Sequence, residues 1–148
     1  MVIYATNKKA YFDYEIIETL EAGIILKGYE VTSIRKGKIN LFGSYATFHN
    51  NELFLTNASI ATYQPKNQPA NYDARRPRKL LLKRKELEYL QSQNRQKGIS
   101  IIPLKVYDKN GKIKIELALA RGKKKYDKRE SIKQKEFKRR VKNITYRL

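Results

Sequence analysis

Apolar and polar residues alternate in short runs near the start of the chain, a pattern typical of β-strands. Tyr11 to Thr19 and Ile24 to Gly28 are rich in β-branched and aromatic residues, and Glu21-Ala22-Gly23 separates them as a turn signal. The spacing becomes helical within Tyr29 to Lys36, and Gly37 follows as a stop signal. We predict two strands followed by a short helix.

Two further pairs of alternating segments surround turn-forming residues. The four segments are Ser44 to Phe48, Leu53 to Asn57, Ile99 to Tyr107 and Ile113 to Ala120. Asn50-Asn51 separates the first pair, and Asn110-Gly111 lies between the second pair. An Asn-Gly step between alternating strands is the strongest short-range hairpin signal. Each pair therefore predicts an antiparallel hairpin.

The middle of the chain combines a loop with an amphipathic segment. Gln64 to Pro77 contains three prolines together with Asn and Gln, which predicts a long loop. From Leu80 to Gln96 leucines recur near helical spacing, and Gly98 follows, so we predict a helix here. At least five short strands, two helices and no βαβ alternation indicate a mainly β fold, an antiparallel β-barrel of the oligonucleotide-binding type with flanking helices.

Charge divides the chain at residue 121. The whole chain has 33 Lys or Arg against 14 Asp or Glu, and Arg121 to Leu148 holds 13 of the basic residues with only three acids. Such a segment cannot bury enough apolar surface to fold alone. We therefore expect a barrel domain over Met1 to Ala120 and a basic tail over Arg121 to Leu148 that is disordered when free. Because the barrel segment is also basic, RNA is the expected partner.

Composition argues against several other function classes. The chain has no cysteine, a single histidine at His49 and no Gly-rich phosphate loop. These absences argue against a metal site, a bound cofactor and an enzyme. It has no apolar run of 18 residues and no signal-peptide pattern. We expect a cytoplasmic protein that does not act at a membrane.

A second basic cluster follows the predicted loop. Seven of the eleven residues from Arg75 to Lys85 are Lys or Arg, and the candidate phosphate ligands are Arg75, Arg76, Arg78, Lys79 and Lys83. The planar guanidinium and the ammonium both suit phosphate oxygens, and a helix start would add amide donors. The alternative is a solvated helix start with salt bridges to Glu86 and Glu88.

The basic tail carries a pattern of aromatic and apolar residues. Tyr126 lies between two basic runs, where its ring can stack on an unpaired base while its neighbours hold phosphates. Phe137, Val141 and Ile144, with Ile132 about one turn earlier, form a narrow apolar stripe on a cationic helix. We predict that the tail folds when it binds RNA. A membrane-surface helix is the alternative, although its apolar face would be thin.

Several motifs occur together in the order found in one known family. They are Asn7-Lys8-Lys9-Ala10, Glu21-Ala22-Gly23, Gly28-Tyr29-Glu30-Val31, Arg35-Lys36-Gly37-Lys38, Arg78-Lys79-Leu80-Leu81-Leu82 and Gly122-Lys123-Lys124-Lys125-Tyr126-Asp127-Lys128-Arg129. From about Asn7 to Phe137 the chain resembles the SsrA-binding protein family, also called small protein B, the partner of transfer-messenger RNA in bacterial ribosome rescue. The resemblance implies an oligonucleotide-binding-type barrel whose C-terminal tail is unstructured when free.

The resemblance also implies a mechanism. In the family the barrel binds the tRNA-like domain of transfer-messenger RNA, and the complex enters the empty A site of a stalled ribosome together with elongation factor Tu. The tail then becomes helical in the vacant mRNA channel of the small subunit, and the nascent chain is tagged for degradation. A ribosomal-protein or initiation-factor-like barrel that holds ribosomal RNA permanently is the alternative function.

Residue roles follow from the same resemblance. On the barrel it implies RNA contacts by Glu21, Leu81 and Lys83. In the tail the implied contacts with the decoding centre and the mRNA channel are Lys123, Lys124, Tyr126, Asp127, Lys128, Arg129, Ile132, Lys133 and Phe137. Relatives often have a smaller polar residue at the position of Lys83, which leaves both a phosphate and a base contact open. At the position of Tyr126 they often have His, and either ring can stack.

Overall fold

The computed structural model describes residues 1–62 and 71–123. Nine strands and three helices follow one another in this part of the chain. They are β1 (Ile3–Thr6), α1 (Lys8–Asp13), β2 (Tyr14–Ile24), α2 (Gly28–Arg35), β3 (Ile39–Asn40), β4 (Tyr45–His49), β5 (Glu52–Thr56), β6 (Ser59–Ile60), β7 (Arg78–Leu81), α3 (Arg84–Asn94), β8 (Ile99–Lys109) and β9 (Lys112–Gly122).

The strands close into an antiparallel barrel. Their order is β8, β4, β5, β7, β2 and β9, and β9 pairs back with β8. The length of β8 allows it to pair with β4 at Ile101 and with β1 from Lys105 to Tyr107, so β1 extends the sheet beside the barrel. Closure gives the strands hydrogen-bonding partners on both sides. The mainly β fold predicted from the sequence is confirmed.

Both faces of the β8–β9 hairpin are covered. The interior face belongs to the main core, whose fully buried side chains include Leu53, Leu55, Ile60, Leu80, Leu90, Ile101, Ile115, Leu117 and Leu119. The opposite face packs a second cluster against α1, formed by Ala10, Ile102, Leu104, Ala118 and Ala120. Helix α1 therefore covers one outer face of the barrel.

The prediction of a strand from Tyr11, ended by a turn at Glu21-Ala22-Gly23, is wrong at both ends. Helix α1 begins after Asn7, whose side chain accepts a hydrogen bond from the amide of Ala10 at 3.3 Å and caps the helix. Strand β2 then runs without interruption to Ile24 because β9 pairs along nearly its whole length. The separate strand predicted from Ile24 to Gly28 is therefore also wrong, because only Ile24 belongs to a strand and Gly28 begins α2.

The predicted helix from Leu80 is also wrong at its start. Leu80 and Leu81 lie in β7, where alternation buries the first side chain and exposes the second. Helix α3 begins only at Arg84, and the carboxylate of Glu86 accepts the amide of Lys83 at 3.1 Å. Of the basic residues from Arg75 to Lys79, the first two therefore precede a strand and the last two lie in it, so none of them stands at a helix start.

The other local predictions are confirmed. Helix α2 matches the predicted segment to within one residue, and both hairpins form around their predicted turns. Asn50 and Asn51 have positive φ angles of 51° and 65°, and Asn110 and Gly111 have 52° and 78°. These are the left-handed conformations that two-residue hairpin turns require. Residues 71–77 are neither helix nor strand, as predicted for the described part of the loop.

Candidate nucleic-acid interface

Glu21 and Leu81 are brought to the same end of β2 by strand pairing. Gly23 lies opposite Leu81 of β7 on one side and opposite Lys114 of β9 on the other. A Cβ atom at Gly23 would lie 3.4 Å from the Cβ of Leu81 and 3.6 Å from the Nζ of Lys114. Because Gly23 has no side chain, the surface between Leu81 and Lys114 is low and forms a floor. Leu81 is 49% exposed, which is high for a leucine in a barrel strand.

This floor belongs to an open groove, which we call the Leu81 groove. It is lined by Gly23, Ile24, Leu26, Val31, Arg35, Leu81, Gly111, Lys112, Ile113 and Lys114. Arg35 donates a hydrogen bond to the carbonyl of Gly111 at 3.1 Å, which joins the end of α2 to the β8–β9 turn. The groove combines an apolar floor with three cationic side chains. That combination suits an unpaired base or a ribose beside its phosphates.

The carboxylate of Glu21 is oriented beside the groove. Tyr107 donates its hydroxyl to Oε2 of Glu21 at 2.7 Å, and the Nζ of Lys109 lies 3.2 Å from the same oxygen. The Tyr107 hydrogen bond, helped by Lys109 and Lys114, lowers the pKa of Glu21 although partial burial opposes the shift. Glu21 is thus ionised at neutral pH and offers fixed acceptor oxygens to an amino or hydroxyl group.

Two members of the predicted basic cluster are held by Glu30 of α2. Arg78 has no exposed side-chain surface, and its Nη2 lies 2.6 Å from Oε2 of Glu30. It also donates to the carbonyls of Ala58 and Ala74, at 2.9 and 3.0 Å. Arg76 is 30% exposed and contacts the other oxygen of Glu30. Arg78 therefore has no surface to offer a phosphate, because its donors are used inside the protein.

The remaining cluster members lie at the surface. Arg75 and Lys83 are exposed, and Lys83 lies two residues after Leu81 at the same end of the barrel. Lys79 forms a half-exposed ion pair with Glu52 at 3.2 Å. Since surface ion pairs of this kind are weak, Lys79 can exchange its carboxylate for a phosphate at little cost.

Sequence reasoning missed the other half of this site. Arg35, Lys112 and Lys114 line the groove, yet none was a predicted ligand. Extending the predicted strand from Ile113 back by one residue to Lys112 could have revealed that Lys112 and Lys114 share its outer face. The contact between Glu21 and Tyr107 has no local signal, because 86 residues separate the two along the chain.

The basic tail begins at the opposite end of β2. The amide of Lys123 donates to the carbonyl of Asp13 at 2.9 Å, and its Nζ lies 3.4 Å from the carbonyl oxygen of Tyr11. The predictions for Lys124, Tyr126, Asp127, Lys128, Arg129, Ile132, Lys133 and Phe137 lie outside the described residues. At about 3.3 Å per residue, β2 separates the start of the tail from the Leu81 groove by about 30 Å.

Within residues 1–62 and 71–123, no group of three His, Cys, Asp or Glu side chains is placed to hold a metal ion. No helix in the same part of the chain is both long and apolar enough to span a membrane.

A closed, basic antiparallel barrel with an exposed groove of apolar and cationic side chains defines an RNA-binding barrel protein of the oligonucleotide-binding type. The family profile described as SmpB protein matches residues 4–147 of this chain. The chain therefore belongs to the SmpB protein family.

Individual relatives agree with this family. The SsrA-binding protein of Persephonella marina is 53% identical over 137 residues, which cover 93% of this chain and 90% of the relative. The SsrA-binding protein of Shouchella clausii is 53% identical, with 94% and 88% covered. A solved chain described under "tmRNA-SmpB: a journey to the center of the bacterial ribosome" is 46% identical with a TM-score of 0.69. That match covers 89% of this chain and 95% of the solved one.

Proposed function

We propose that this chain binds transfer-messenger RNA and acts in trans-translation on stalled bacterial ribosomes, in the cytoplasm. Its relatives are named SsrA-binding proteins, and the similar solved chain comes from work on tmRNA and SmpB in the ribosome. The observation that carries the proposal is the Leu81 groove, where Leu81, Gly23 and Lys114 lie beside the oriented carboxylate of Glu21. Glu21 and Leu81, two of the three barrel residues to which the family resemblance assigns RNA contacts, lie at this end of the barrel.

Each part of the groove has its own task in this proposal. Leu81 packs against an unstacked base or ribose, and Gly23 allows the RNA to approach the sheet closely. Glu21 accepts hydrogen bonds from amino or 2′-hydroxyl groups of the RNA. Such hydrogen bonds provide specificity, which charge attraction alone does not. Lys114 and the exposed Lys83 hold phosphates. Arg78 serves by fixing β7, the strand that carries Leu81.

The two ends of the molecule divide the work. The barrel, which ends with β9 at Gly122 and not at the predicted Ala120, holds the tRNA-like domain of transfer-messenger RNA, which elongation factor Tu accompanies to the A site. The tail, over residues 123–148, meets the decoding centre through Tyr126, Asp127, Lys128 and Arg129 and enters the vacant mRNA channel. The tail starts at Lys123, far from the Leu81 groove. This distance supports the division, because transfer-messenger RNA at the groove and ribosomal RNA at the tail can be held at once. This mechanism requires no catalytic residue or cofactor.

The test is a comparison of two RNAs across a salt series. The full chain and a chain ending at Lys123 are titrated with the tRNA-like part of transfer-messenger RNA and with an ordinary alanine tRNA. We expect both proteins to prefer the tRNA-like part even at high salt, and only the full chain to support tagging of stalled nascent chains. Equal binding that collapses with salt would indicate a general polyanion binder and contradict the proposal. Stable retention on washed ribosomal subunits without transfer-messenger RNA would favour a permanent ribosomal RNA ligand.

The end point of the shortened chain matters. Strand β9 continues to Gly122, which pairs with Tyr14, and Arg121 pairs with Glu15 and Ile99. A chain that stops at Ala120 loses these pairs as well as the tail, so it would confuse loss of function with loss of stability. Stopping after Lys123 keeps the described barrel complete.

A further inference from the structure

A second pocket, the Phe42 pocket, lies at the end of the barrel where the tail begins. It has a volume of about 150 Å³ and lies between α1 and the turn that precedes β4. Its walls include Lys9, Asp13, Tyr14, Phe42 and Tyr45. Phe42 is 61% exposed and Tyr45 is 42% exposed. Two large aromatic rings thus face solvent around one concave site.

Phe42 is held in its exposed position by a well-anchored turn. The side chain of Asn40 accepts the amide of Phe42 at 2.9 Å. Ser44 donates both its amide and its hydroxyl to the carbonyl of Leu41, at 3.0 and 2.6 Å. Asn57 donates to the carbonyl of Gly43, whose φ angle is +73°. Because the backbone on both sides of Phe42 is bonded, the turn that presents the ring needs no ordering when a ligand binds.

The Phe42 pocket has cationic side chains at its rim and an acidic residue in its wall. The Nζ of Lys9 lies 4.8 Å from the centre of the Phe42 ring, a cation–π contact at the rim. Lys8 is exposed on the same helix, α1. Asp13 is one of the residues that line the pocket, and its negative charge disfavours a phosphate there. The arrangement suits a neutral planar group inside and its phosphates on the lysines outside.

We propose that the Phe42 pocket is a second RNA site, which receives an unpaired base of the small-subunit ribosomal RNA. The base stacks on Phe42 and Tyr45, and Lys9 contacts the adjoining phosphate. This inference rests on the proposed function, in which the tail meets ribosomal RNA. The amide of Lys123 bonds to Asp13 in the pocket wall, so the tail begins at this pocket.

Ribosomal RNA fits the pocket better than the RNA held at the other end. Strand β2 places the pocket about 30 Å from the Leu81 groove, whereas Lys123, where the tail begins, bonds to the pocket residue Asp13. An RNA that receives the tail therefore passes the Phe42 pocket. The basic charge of the chain, +19 overall, complements RNA at this end as well.

The first experiment measures binding of full-length variants to purified small ribosomal subunits and to transfer-messenger RNA. We expect Phe42→Ala to weaken subunit binding about tenfold, the order expected when one stacking ring is lost, and to leave transfer-messenger RNA binding unchanged. Phe42→Tyr keeps an aromatic face and should bind normally, while Phe42→Leu keeps only apolar surface and should resemble Phe42→Ala. Tyr89→Ala is the matched control, since Tyr89 is 40% exposed but lies on α3 outside the pocket.

Three results would overturn the inference. Normal subunit binding by Phe42→Ala would show that the ring contacts nothing there. Normal binding by Phe42→Leu would indicate an apolar contact with a ribosomal protein in place of base stacking. An equal loss of binding to transfer-messenger RNA would assign the pocket to the other RNA. Each variant is first melted, so that a folding defect is recognised, and Phe42→Leu still tests the site if the alanine variant unfolds.

A spectroscopic version tests stacking directly. The chain has no tryptophan, so Phe42→Trp creates a single reporter in the pocket. Stacking on a base should quench its fluorescence when small subunits are added, and Lys9→Gln should reduce the salt dependence of binding by about one phosphate contact. Binding without quenching would contradict the inference. If the wild-type chain shows no preference for transfer-messenger RNA, the proposed function fails, while quenching by subunits still reports separately on this pocket.

Discussion

Arg78 and Glu30 form an ion pair with no exposed side-chain surface, at 2.6 Å between Nη2 and Oε2. The other carboxylate oxygen accepts the amide of Lys27 at 2.8 Å and a guanidinium nitrogen of Arg76. Helix α2, the segment before β7 and β7 itself are thereby joined at one carboxylate. Paired and fully hydrogen-bonded charges of this kind tolerate burial, whereas a single unpaired one does not.

Replacing Arg78 with Met should therefore destabilise the barrel strongly. The change leaves the carboxylate of Glu30 buried without its main partner, which costs about 3–5 kcal/mol in comparable cases. Urea unfolding monitored by circular dichroism measures the loss. Lys79→Met is the control, because its half-exposed pair with Glu52 should contribute less than about 1 kcal/mol. Equal effects of the two changes would contradict the internal role of Arg78.

Acid should weaken this same contact. Burial acts to raise the pKa of Glu30, but the Lys27 amide and the guanidiniums of Arg76 and Arg78 outweigh it, so the pKa falls below the ordinary value of 4.5. A carboxyl whose folded pKa is lowered stabilises the fold above its unfolded pKa and loses that contribution as pH falls through the folded value. Glu30→Gln should be less stable than the wild type at pH 7, and the difference should shrink below about pH 4.5. A constant difference between pH 7 and pH 3 would refute this account.

Tyr107 should matter for RNA binding although it need not touch RNA. Its hydroxyl donates to Glu21 at 2.7 Å and is the largest cause of the lowered pKa of that carboxyl. Tyr107→Phe removes this one hydrogen bond, and we expect about fivefold weaker binding to the tRNA-like part of transfer-messenger RNA with little loss of stability. Tyr89→Phe serves as the control because it removes a similar bond, to Glu18, away from the groove.

The titration of Glu21 separates positioning from packing in that variant. Without the Tyr107 hydroxyl the pKa of Glu21 should rise, which can be followed by NMR of the side-chain carboxyl. Loss of RNA affinity with no change in that pKa would mean that Tyr107 acts through packing alone.

Gly23 should set how closely RNA approaches the sheet. A methyl group there would lie 3.4 Å from the Cβ of Leu81, a tight contact that small shifts relieve, so Gly23→Ala should fold. It would also raise the floor of the Leu81 groove, and we expect several-fold weaker binding to transfer-messenger RNA in a filter-binding titration. Gly28→Ala is the matched control, since no atom lies within 4 Å of its added Cβ. Unchanged affinity in Gly23→Ala would place the RNA away from the groove floor.

Local sequence signals predicted the elements that local chemistry determines. Asn110-Gly111 fixed the last hairpin because those residues adopt positive φ at little cost. The prediction of a helix from Leu80 is wrong because a short run of leucines suits a helix and a buried strand equally. The pairing of Leu81 with Gly23 decides for the strand. The turn expected near Gly23 is absent for the same reason, since β9 holds that segment extended.

The candidate site was predictable only in part. Glu21 and Leu81 came from the family resemblance, and strand pairing brings them to one end of the barrel. The cluster from Arg75 to Lys79 was read from charge alone, and charge does not distinguish an exposed arginine from one paired inside, as Arg78 is. Burial of Arg78 depends on Glu30, 48 residues away, and no local pattern connects the two.

Strand β2 fixes the distance between the two ends of the barrel. One end of the strand carries Gly23 beside Leu81, and the other carries Tyr14 beside Gly122, where the tail departs. Because β9 pairs with β2 from Tyr14 to Gly23, with one bulge between Ile16 and Glu18, the number of residue pairs along the strand sets the spacing between the two ends. Adding two residues to β2 and two to β9 would lengthen this distance by about 7 Å and leave the residues at both ends unchanged. If both proposed RNA sites are correct, the length of β2 sets the distance at which the barrel holds the two RNAs.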